Sequence, residues 1–316
     1  MDNIFIELYE TLKQSTLSCT SNNIALSGGL DSSILTYYLK ERKPKATAVI
    51  TRDFLASDLT YCQLIAKTFG LSLDIKTVQT DELLEAVEET IKILEIFNDI
   101  EIRNSVVLYI AFKAIKEKGG NSVITGDGAD ELFAGYSFFR NKSENELEEE
   151  LKRIWSIMHF PSVKLGQKLN VKVESPFLDG RIIELAKKIP AKYKVKEENN
   201  VRFGKWILRK IFEEKLPKQV VWREKSAMQD GSGTVGLSQL FESIVADNIF
   251  EKKKKEIQEA DGVIIRTKES MHYYDIYRKF FEVPSKLHSS SSSCPYCQYS
   301  VELNGKFCRM CGAFPI

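Results

Sequence analysis

A glycine- and serine-rich turn, SGGLDSS at positions 27–33, is the part of the sequence best suited to bind phosphate. Its glycines let backbone N–H groups approach a ligand closely, and the helix expected to begin near Asp31 adds partial positive charge. Ser27, Ser32 and Ser33 add hydroxyl donors. The turn has neither the Gly-Lys-Ser/Thr ending of a Walker loop nor the G-x-G-x-x-G spacing of a dinucleotide-binding loop. We therefore predict a phosphate cradle without lysine. The alternative is an ordinary turn in which Asp31 and Ser32 cap a helix.

A second loop, TGDGADELFAGY at 125–136, is acidic. Asp127, Asp130 and Glu131 fall within five consecutive positions. Carboxylates this close raise one another's pKa unless a cation lies among them. Mg²⁺ suits that place, because it prefers carboxylates together with phosphate oxygens as ligands. The loop therefore predicts a magnesium site, and the alternative is an acidic surface turn.

Four of the six cysteines form two Cys-x-x-Cys pairs: Cys294 with Cys297, and Cys308 with Cys311. Two such pairs suit a tetrahedral zinc site with four sulfur ligands. A segment this short cannot build a hydrophobic core, so the metal would supply its folding energy. We predict a structural zinc ribbon that contacts a protein or a nucleic acid and is dispensable for chemistry. Redox-active or unpaired cysteines are the alternative.

The elements predicted around the two loops place both loops at strand ends. Apolar runs predict strands at 23–27, 46–51, 71–78 and 122–125, and helical spacing predicts helices at 3–18, from Asp31, and at 56–69, 81–97 and 102–118. Strands that alternate with helices predict an α/β fold, in which a parallel sheet has helices on both faces. Ligands of such sheets bind at the carboxyl ends of the strands, which is where both loops begin.

The rest of the chain is predicted to be helical, with a small module at its end. Helices are expected at 144–157, 180–189 and 202–215, and the charged run EKKKKE at 251–256 is expected to be a solvated helix face. Five serines at 289–293 predict a flexible linker that isolates the ribbon mechanically. The predicted regions are a large domain at 1–283, a linker at 284–293 and the zinc ribbon at 294–316.

The composition argues against several classes of protein. The 45 lysines and arginines nearly balance 44 acidic residues, whereas a nucleic-acid-binding protein usually has a large basic excess. No apolar stretch approaches the roughly 18 residues of a membrane-spanning helix. Residues 1–7 lack the features of a signal peptide. We therefore expect a cytoplasmic protein whose thiols stay reduced.

Both loops resemble motifs of the asparagine synthetase family, whose synthetase domain belongs to the ATP-pyrophosphatase superfamily. The turn at 27–33 resembles the superfamily's pyrophosphate loop, and the loop at 125–136 resembles the family's acidic loop. Further motifs agree in order between about residues 20 and 235: IRNS at 102–105, SPFLD at 175–179, KWILRK at 205–210, LP at 216–217, WREK at 222–225 and DG at 230–231. The resemblance implies an adenine-nucleotide-hydrolase-like α/β fold. It also implies an enzyme that adenylates a carboxylate, releases pyrophosphate and transfers ammonia, with aspartate becoming asparagine.

The resemblance further implies roles for individual residues. Asp31 and Asp130 would hold Mg²⁺, and Asp127 and Lys225 would be catalytic. Asp127 would position the acyl-adenylate or accept a proton from ammonia, and Lys225 would hold pyrophosphate. ATP and pyrophosphate would be bound by Leu26, Ser27, Gly28, Gly29, Asp31, Ser32, Ile50, Thr125 and Gly126.

Two arginines in these motifs have alternative roles. Arg103 is a candidate anchor for the charged groups of the substrate. For Arg103 and Arg209 alike, a structural ion pair is the alternative.

The sequence departs from the family near its first residue. Glutamine-dependent members carry an N-terminal glutaminase domain whose nucleophile is a cysteine directly after Met1, whereas residue 2 here is Asp2. Cys19 and Cys62 are expected to be buried packing residues. Ammonia would then arrive free or from a separate glutaminase. The alternatives are the same chemistry on another carboxylate, a tRNA-modifying ATP-pyrophosphatase, and a binding module without catalysis.

Overall fold

The computed structural model describes residues 3–198, 200–224, 227–287, 292–301 and 305–316, which form two compact units. Unit 1 comprises Met1–Ile50, Ser57–Lys76 and Ala111–Ala227, and unit 2 comprises Thr51–Ala56, Thr77–Ile110 and Met228–Ile316. Each unit is therefore built from segments that are distant in the sequence.

A five-stranded sheet consists of β1 Asn23–Ala25, β2 Lys45–Thr51, β3 Leu73–Val78, β4 Ser122–Ile124 and β5 Lys172–Glu174. Their order is β3-β2-β1-β4-β5, and the pairs β1–β2, β1–β4 and β4–β5 are parallel. In register, Ile24 pairs with Ala46 on one side and with Ile124 on the other. The four predicted strands and the parallel α/β fold are confirmed. The sequence does not predict β5, because its three residues, KVE, contain no apolar run.

The helices match most of the predicted ones. They are α1 Asn3–Ser18, α2 Leu30–Leu39, α3 Asp58–Phe69, α4 Thr80–Leu94, α5 Asp99–Glu117, α6 Ala129–Leu132, α7 Glu144–Ser156, α8 Pro161–Leu169, α9 Gly180–Lys188, α10 Ala191–Lys194, α11 Trp206–Phe212, α12 Lys218–Val221, α13 Met228–Ser232, α14 Gly236–Ile244, α15 Asp247–Asp261 and α16 Lys268–Phe280, with 3-10 turns at Lys40–Arg42, Ser137–Phe139, Pro176–Leu178 and Pro284–Leu287. The helix predicted at 202–215 is shorter than expected, because Val201–Phe203 forms β7, which pairs with β6 Lys196–Glu198. No residue of α15 is buried, so the charged run is a solvated helix face as predicted. Across the described ranges, every helix is either too short or too polar to cross a membrane.

The sheet changes its winding direction at β1. Strands β2 and β3 follow on one side of β1, whereas β4 lies on its other side. Since connections between parallel strands are right-handed, this reversal puts the connecting helices on opposite faces of the sheet. It also opens a crevice between the carboxyl ends of β1 and β4, where ligands of such sheets bind. The turn at 27–33 follows β1 and the loop at 125–136 follows β4, so the fold brings the two loops to this crevice.

The core of unit 1 fixes α2, the helix that begins within the turn at 27–33. Ile34 and Leu35 of α2 are fully buried, together with Leu8 and Leu12 of α1 and Ile207 of α11. Burying a side chain of this size stabilises the fold by about 1.5–3 kcal/mol. The start of α2 is therefore a rigid support for whatever the turn binds.

Unit 2 contains α4, α14, α16 and the cysteine-rich segment. Phe97, which follows α4, packs its ring 4.9 Å from that of Tyr274. The backbone N–H of Phe97 donates to Met310 O at 3.0 Å, which ties the cysteine-rich segment to this core. The expectation that a linker isolates the ribbon mechanically is therefore wrong. The boundaries at 284–293 stay a prediction, and residues 288–291 lie outside the described residues.

Candidate active site

The turn at 27–33 packs closely against the start of α3. Gly28 has a φ of +66°, and a Cβ added there would lie 2.6 Å from Tyr61 Cβ and 2.7 Å from Cys62 N. No other residue fits at this position without displacing α3. Leu26 is fixed on both sides, since its N–H bonds to β2 at 2.8 Å and its carbonyl accepts from Cys62 Sγ at 3.2 Å. The turn therefore has a firm backing on the side of α3.

The serine hydroxyls of the turn fall into two groups. Ser33 Oγ donates to Gly29 O at 2.7 Å and so stabilises the first turn of α2. Ser27 Oγ and Ser32 Oγ lie 3.2 Å apart, and Gly29 N donates to Ser27 Oγ at 3.3 Å. These contacts are longer than a typical O–H···O bond of about 2.7–2.8 Å or N–H···O bond of about 2.9–3.0 Å. A phosphate oxygen would therefore replace them at little cost.

Lys205 lies between Asp31 and Asp130, the two carboxylates that would hold magnesium according to the family resemblance. Its Nζ is 2.6 Å from Asp31 Oδ2 and 2.8 Å from Asp130 Oδ1, and its side chain is only 4% exposed. Burial alone lowers the pKa of Lys205, but the charges of Asp130 and Asp31 outweigh burial, and the pKa is raised. The lysine is therefore charged, and it bonds to both carboxylates.

The backbone around Lys205 is built to admit this side chain. Lys205 has a φ of +55°, a left-handed conformation that is uncommon outside glycine. A Cβ added at Gly135 would lie 1.8 Å from Asp130 Oδ1 and 2.2 Å from Lys205 Cε. One added at Gly204 would lie 2.0 Å from a backbone oxygen. Strain of this kind is concentrated at functional sites, where surrounding structure maintains it.

Asp127 is held by hydroxyl groups from neighbouring segments. Its Oδ2 accepts from Thr125 Oγ1 at 2.8 Å and from Ser162 Oγ at 2.6 Å, and Thr125 Oγ1 lies 2.9 Å from Ser175 Oγ. Burial raises the pKa of Asp127, and these hydroxyls oppose the shift. Both hydrogen bonds use Oδ2, which leaves Oδ1 outside them. A carboxylate with a raised pKa is the better proton acceptor near neutral pH.

The other residues predicted to bind ATP lie at the same edge of the sheet. Leu26 directly follows β1, Thr125 directly follows β4, and Ile50 is the last residue but one of β2. A Cβ added at Gly126 would lie 3.0 Å from Asp31 Cβ, so the two loops touch at this point. The structure therefore brings these elements together, while the role of each residue stays a prediction.

Arg209 is buried and holds the segment that leads to Lys225. Its Nε donates to Gly204 O at 2.9 Å, and its Nη1 donates to Arg223 O at 3.0 Å. Burial lowers the pKa of Arg209 to about 10, so it remains charged at neutral pH. Its bonds are structural, as the alternative proposed, although the partners are carbonyls and not a carboxylate. Lys225 itself lies outside the described residues, and its role stays a prediction.

Arg103 belongs to unit 2, where it takes part in a buried network. Its Nη1 forms an ion pair with Glu269 Oε2, and its Nε donates to Gln229 Oε1 at 2.6 Å. Tyr273 Oη donates to the other oxygen of Glu269 at 2.7 Å. Burial raises the pKa of Glu269 to about 7, although the charge of Arg103 opposes the shift. The structural ion pair is thus present, and substrate anchoring by Arg103 stays a prediction.

The four clustered cysteines converge in unit 2. Their Sγ atoms all lie within 4.8 Å of one another, with 3.7 Å between Cys294 and Cys311 and 3.6 Å between Cys297 and Cys308. A tetrahedron with Zn–S bonds of about 2.3 Å has edges of about 3.8 Å. All four side chains are buried. They therefore fit Zn²⁺ as a closed structural site, in which no position remains for a substrate.

Both loops lie in a region of the chain that matches a known protein family. The sequence model of the asparagine synthase family matches residues 7–170 and 164–293. The chain belongs to the asparagine synthase family. The matched residues include both loops and end before the first clustered cysteine, Cys294.

Alignment with three curated relatives shows what share of their length this chain covers. Asparagine synthetase B [glutamine-hydrolyzing] of Escherichia coli is 30% identical over 303 residues, covering 88% of this chain and 53% of the relative. The probable asparagine synthetase [glutamine-hydrolyzing] of Dictyostelium discoideum is 31% identical over 289 residues (82% and 51%). The asparagine synthetase [glutamine-hydrolyzing] of Gallus gallus is 30% identical over 277 residues (81% and 48%). The chain spans about half the length of the curated relatives it matches.

The carboxylates of this asparagine synthase domain fit the magnesium ion that the family implies. Asp31 Oδ1 is buried and accepts no hydrogen bond from the described residues. Its other oxygen and Asp130 are held together by Lys205. Oxygen donors of this kind are the ligands that Mg²⁺ prefers, with phosphate oxygens completing its shell.

Two residues that lie beside the predicted phosphate site have no role predicted from the sequence. Lys205 and Arg223 both occur in motifs that resemble the family, KWILRK and WREK, and that was the available signal. Arg223 Nη2 lies 2.9 Å from Asp58 Oδ1, and its guanidinium lies 3.8 Å from the ring centre of Tyr61, the residue that backs Gly28. The site therefore has two cations that residue spacing alone did not reveal.

Proposed function

We propose that this chain is an ATP-dependent ligase that converts a carboxylate to an amide, with the side chain of aspartate as the favoured substrate and asparagine as the product. In the first step a carboxylate oxygen attacks the α-phosphorus of ATP and pyrophosphate leaves. In the second step ammonia attacks the acyl carbon, AMP leaves, and the nitrogen loses a proton to a base. Family membership and the names of the relatives support this reaction.

The observation that carries the proposal is the Asp31–Lys205–Asp130 cluster beside a phosphate cradle that contains no lysine of its own. A P-loop enzyme that acts at the γ-phosphate has a lysine within the phosphate loop itself. Here the buried cation lies between two carboxylates, one of which, Asp31, lies in the first turn of α2. This arrangement suits a metal-bound pyrophosphate leaving group.

Within the cradle, the proposed work of the protein is to hold pyrophosphate before and after it leaves. The N–H groups of Gly28 and Gly29 and the hydroxyls of Ser27 and Ser32 would bind its oxygens. Mg²⁺, when bound, would neutralise charge on the phosphates. Preorganised donors stabilise developing charge because they need no rearrangement during the reaction.

Asp127 is the proposed proton acceptor for the second step. Its Oδ2 is fixed by two hydroxyls, and burial raises the pKa of its carboxyl group. A base with a raised pKa takes a proton from the attacking nitrogen more readily than an ordinary carboxylate does. Positioning of the acyl-adenylate by Asp127 would use the same geometry.

Product analysis tests the proposed reaction. The purified chain is incubated with ATP, Mg²⁺ and ammonium and with aspartate, glutamate or another carboxylate, and nucleotides are separated by chromatography. We expect AMP and pyrophosphate in equal amounts, with the largest yield for aspartate. ADP as the product would refute cleavage between the α- and β-phosphates. A different preferred carboxylate would correct the substrate and leave the reaction type in place.

The proposed nitrogen source is ammonia, either free or from a separate glutaminase. Cys62 is buried against the turn, and burial raises the pKa of its thiol. Burial also raises the pKa of Cys19 to about 11, aided by the charge of Glu174. Since the thiolate is the nucleophile, neither residue suits attack on glutamine. We expect ammonium and not glutamine to support turnover, whereas glutamate release that depends on either cysteine would contradict this.

A further inference from the structure

Both Cys-x-x-Cys turns of the ribbon bond to the rest of unit 2. At the second turn, Arg266 Nη2 donates to Cys311 O at 2.8 Å, and Asn98 Nδ2 donates to Arg309 O at 3.3 Å. At the first turn, Tyr296 O accepts from Ile264 N at 2.7 Å. These bonds, with that of Phe97, join the ribbon to two short segments, 97–98 and 264–266.

The contact between the ribbon and these segments is close. Gly312 has a φ of +74°, and a Cβ added there would lie 2.6 Å from Asn98 Oδ1 and 3.2 Å from Arg266 Nη2. Asn98 is fully buried, and so is Ala313 beside Gly312. A ribbon that served only as an exposed docking module would not require such close packing.

The two segments lead directly into the helices that carry the buried ion pair. Asn98 immediately precedes α5, and its Oδ1 accepts from Glu101 N at 3.3 Å, as an N-cap does. Arg103 lies five residues after Asn98, which is about 7.5 Å along a helix. Arg266 immediately precedes Thr267, the N-cap of α16, and Glu269 is the second residue of that helix.

We propose that the four-cysteine metal centre positions the Arg103–Glu269 pair by fixing the starts of α5 and α16. The bound metal holds the two turns of the ribbon, the turns hold segments 97–98 and 264–266, and these segments orient the helices that present the pair. Arg266 is then a positioning residue. Its importance for substrate binding rests on the proposed function, together with the role of Arg103 as an anchor for the substrate that the family resemblance implies.

The neighbours of Arg103 suit such a role. Its two side-chain bonds use Nε and Nη1, and Nη2 lies outside both. Thr234 Oγ1 donates to its backbone oxygen at 2.8 Å, and Asn104 Oδ1 accepts from Gln229 N at 3.1 Å. The guanidinium is therefore held from several sides, while Nη2 donates no hydrogen bond to the residues that the structure describes and so is available to a further partner. A tilt of either helix start would move it.

Hydrogen exchange on the full chain tests the positioning directly. The chain as purified is compared with a chain whose zinc has been removed by a chelator under reducing conditions. We expect amide exchange to become about tenfold faster or more in peptides covering 97–104 and 264–274. Without zinc, these segments can open locally without breaking hydrogen bonds to an ordered ribbon. Peptides from α2 should be unaffected, and added zinc should restore protection. Unchanged exchange in both peptides, or a chain that holds no zinc as purified, would overturn the proposal.

A substitution separates positioning from general stability. Arg266→Ala keeps all four thiolates, so it should retain one zinc per chain while the KM for the carboxylate rises about fivefold and the KM for ATP stays the same. Arg266→Lys should restore most of the loss, because an ammonium group also donates to a carbonyl. Lys286→Ala, which removes an exposed ion pair with Glu282 in the same unit, is the matched control. Equal KM values for the alanine variant and the control would refute positioning.

The two experiments fail in different ways. If no carboxylate is turned over, the proposed function is wrong, and the exchange measurement still decides whether the metal fixes the two helix starts. If turnover is normal and exchange does not depend on zinc, the ribbon does not position the pair and the proposed function stands.

Discussion

Each unit of the molecule contains a buried ionic cluster built around one basic residue, and the two clusters differ in how completely they are satisfied. In unit 1, Lys205 bonds to Asp31 and Asp130, yet Asp31 Oδ1 is buried without a hydrogen bond from the described residues. In unit 2, both oxygens of Glu269 are bonded, one to Arg103 and the other to Tyr273.

The difference extends to the backbone. Lys205 has a left-handed φ, and glycines clear the space around it, whereas Arg103 and Glu269 lie in ordinary helices. A buried polar atom without a partner costs about 1–3 kcal/mol, so a fold keeps one only where something else compensates. The protein therefore bonds both carboxylate oxygens of Glu269 in unit 2, whereas in unit 1 it leaves a buried oxygen of Asp31 that a ligand could bind.

The largest expected effect is that of Lys205→Met. Removing the ammonium group leaves two partly buried carboxylates without their shared cation, which should cost about 3 kcal/mol of stability. Pyrophosphate exchange into ATP should fall by about 1,000-fold or more, because a buried charge beside the leaving group is lost. Lys210→Met is the control, since Lys210 lies in α11 and forms a partly exposed ion pair with Glu213. Activity within tenfold of the unmodified chain in a folded Lys205→Met variant would contradict the comparison.

A smaller loss is expected for Asp31→Asn. The amide keeps the shape of the side chain and a bond to Lys205, but it is a weak ligand for Mg²⁺. We expect adenylation to fall by about 100-fold or more, with a partial recovery at high Mg²⁺ concentration. Circular dichroism should show a folded chain. Full activity at ordinary Mg²⁺ would show that Asp31 has no part in metal binding.

The sequence predicted the cluster of unit 1 in part, for reasons that the structure makes clear. Asp31 and Asp130 were predicted from the resemblance of their loops to motifs of the family, and the predicted parallel strands placed both loops at one edge of the sheet. Lys205 was missed as a site residue because it is 174 positions from Asp31, and no local pattern links the two. Glu269 is likewise 166 positions from Arg103.

The ribbon shows the same limit in another form. Its four ligands follow from Cys-x-x-Cys spacing, which is local. Its attachment to Asn98 depends on a contact across 211 positions, and a serine tract in the sequence pointed to isolation instead. Residue patterns thus predicted the elements and the metal ligands, but not which distant side chains complete each cluster.

The cluster in unit 2 should make the stability of the fold depend on pH near neutrality, which an exposed salt bridge would not do. Because burial raises the pKa of Glu269 to about 7 from 4.5, the folded chain binds a proton there that the unfolded chain has lost. Between about pH 5 and pH 8 the free energy of unfolding should therefore decrease with rising pH, by about 2 kcal/mol from this group. Two residues of α5 also affect this pKa: the charge of Arg103 lowers it, and the charge of Asp99 raises it.

Urea unfolding at pH 5.5 and pH 8, for the unmodified chain and for Glu269→Gln, measures this effect. The variant cannot titrate at this position, so its destabilisation relative to the unmodified chain should be smaller at pH 8 than at pH 5.5. An equal difference at the two pH values would mean that Glu269 is ionised throughout and that the pair resembles the ordinary salt bridges of the surface.

The smallest effects should come from removing one hydroxyl beside each cluster, and only one removal should change the chemistry. Tyr273→Phe loses the bond to Glu269, and Ser162→Ala loses the bond to Asp127 at 2.6 Å. Each should cost about 1 kcal/mol of stability.

The hydroxyl of Ser162 favours the charged form of Asp127, so its removal should raise the pKa of Asp127 further. Asp127 then stays protonated up to a higher pH. In a plot of the rate of amide formation against pH, the rise on the acid side (the acid limb) should therefore move to higher pH. Rates are compared at equal concentrations of unprotonated ammonia, so that its own titration cancels. Tyr273→Phe should leave the limb in place, and Asp127→Asn should abolish it. A limb unmoved by Ser162→Ala would mean that Asp127 is not the base.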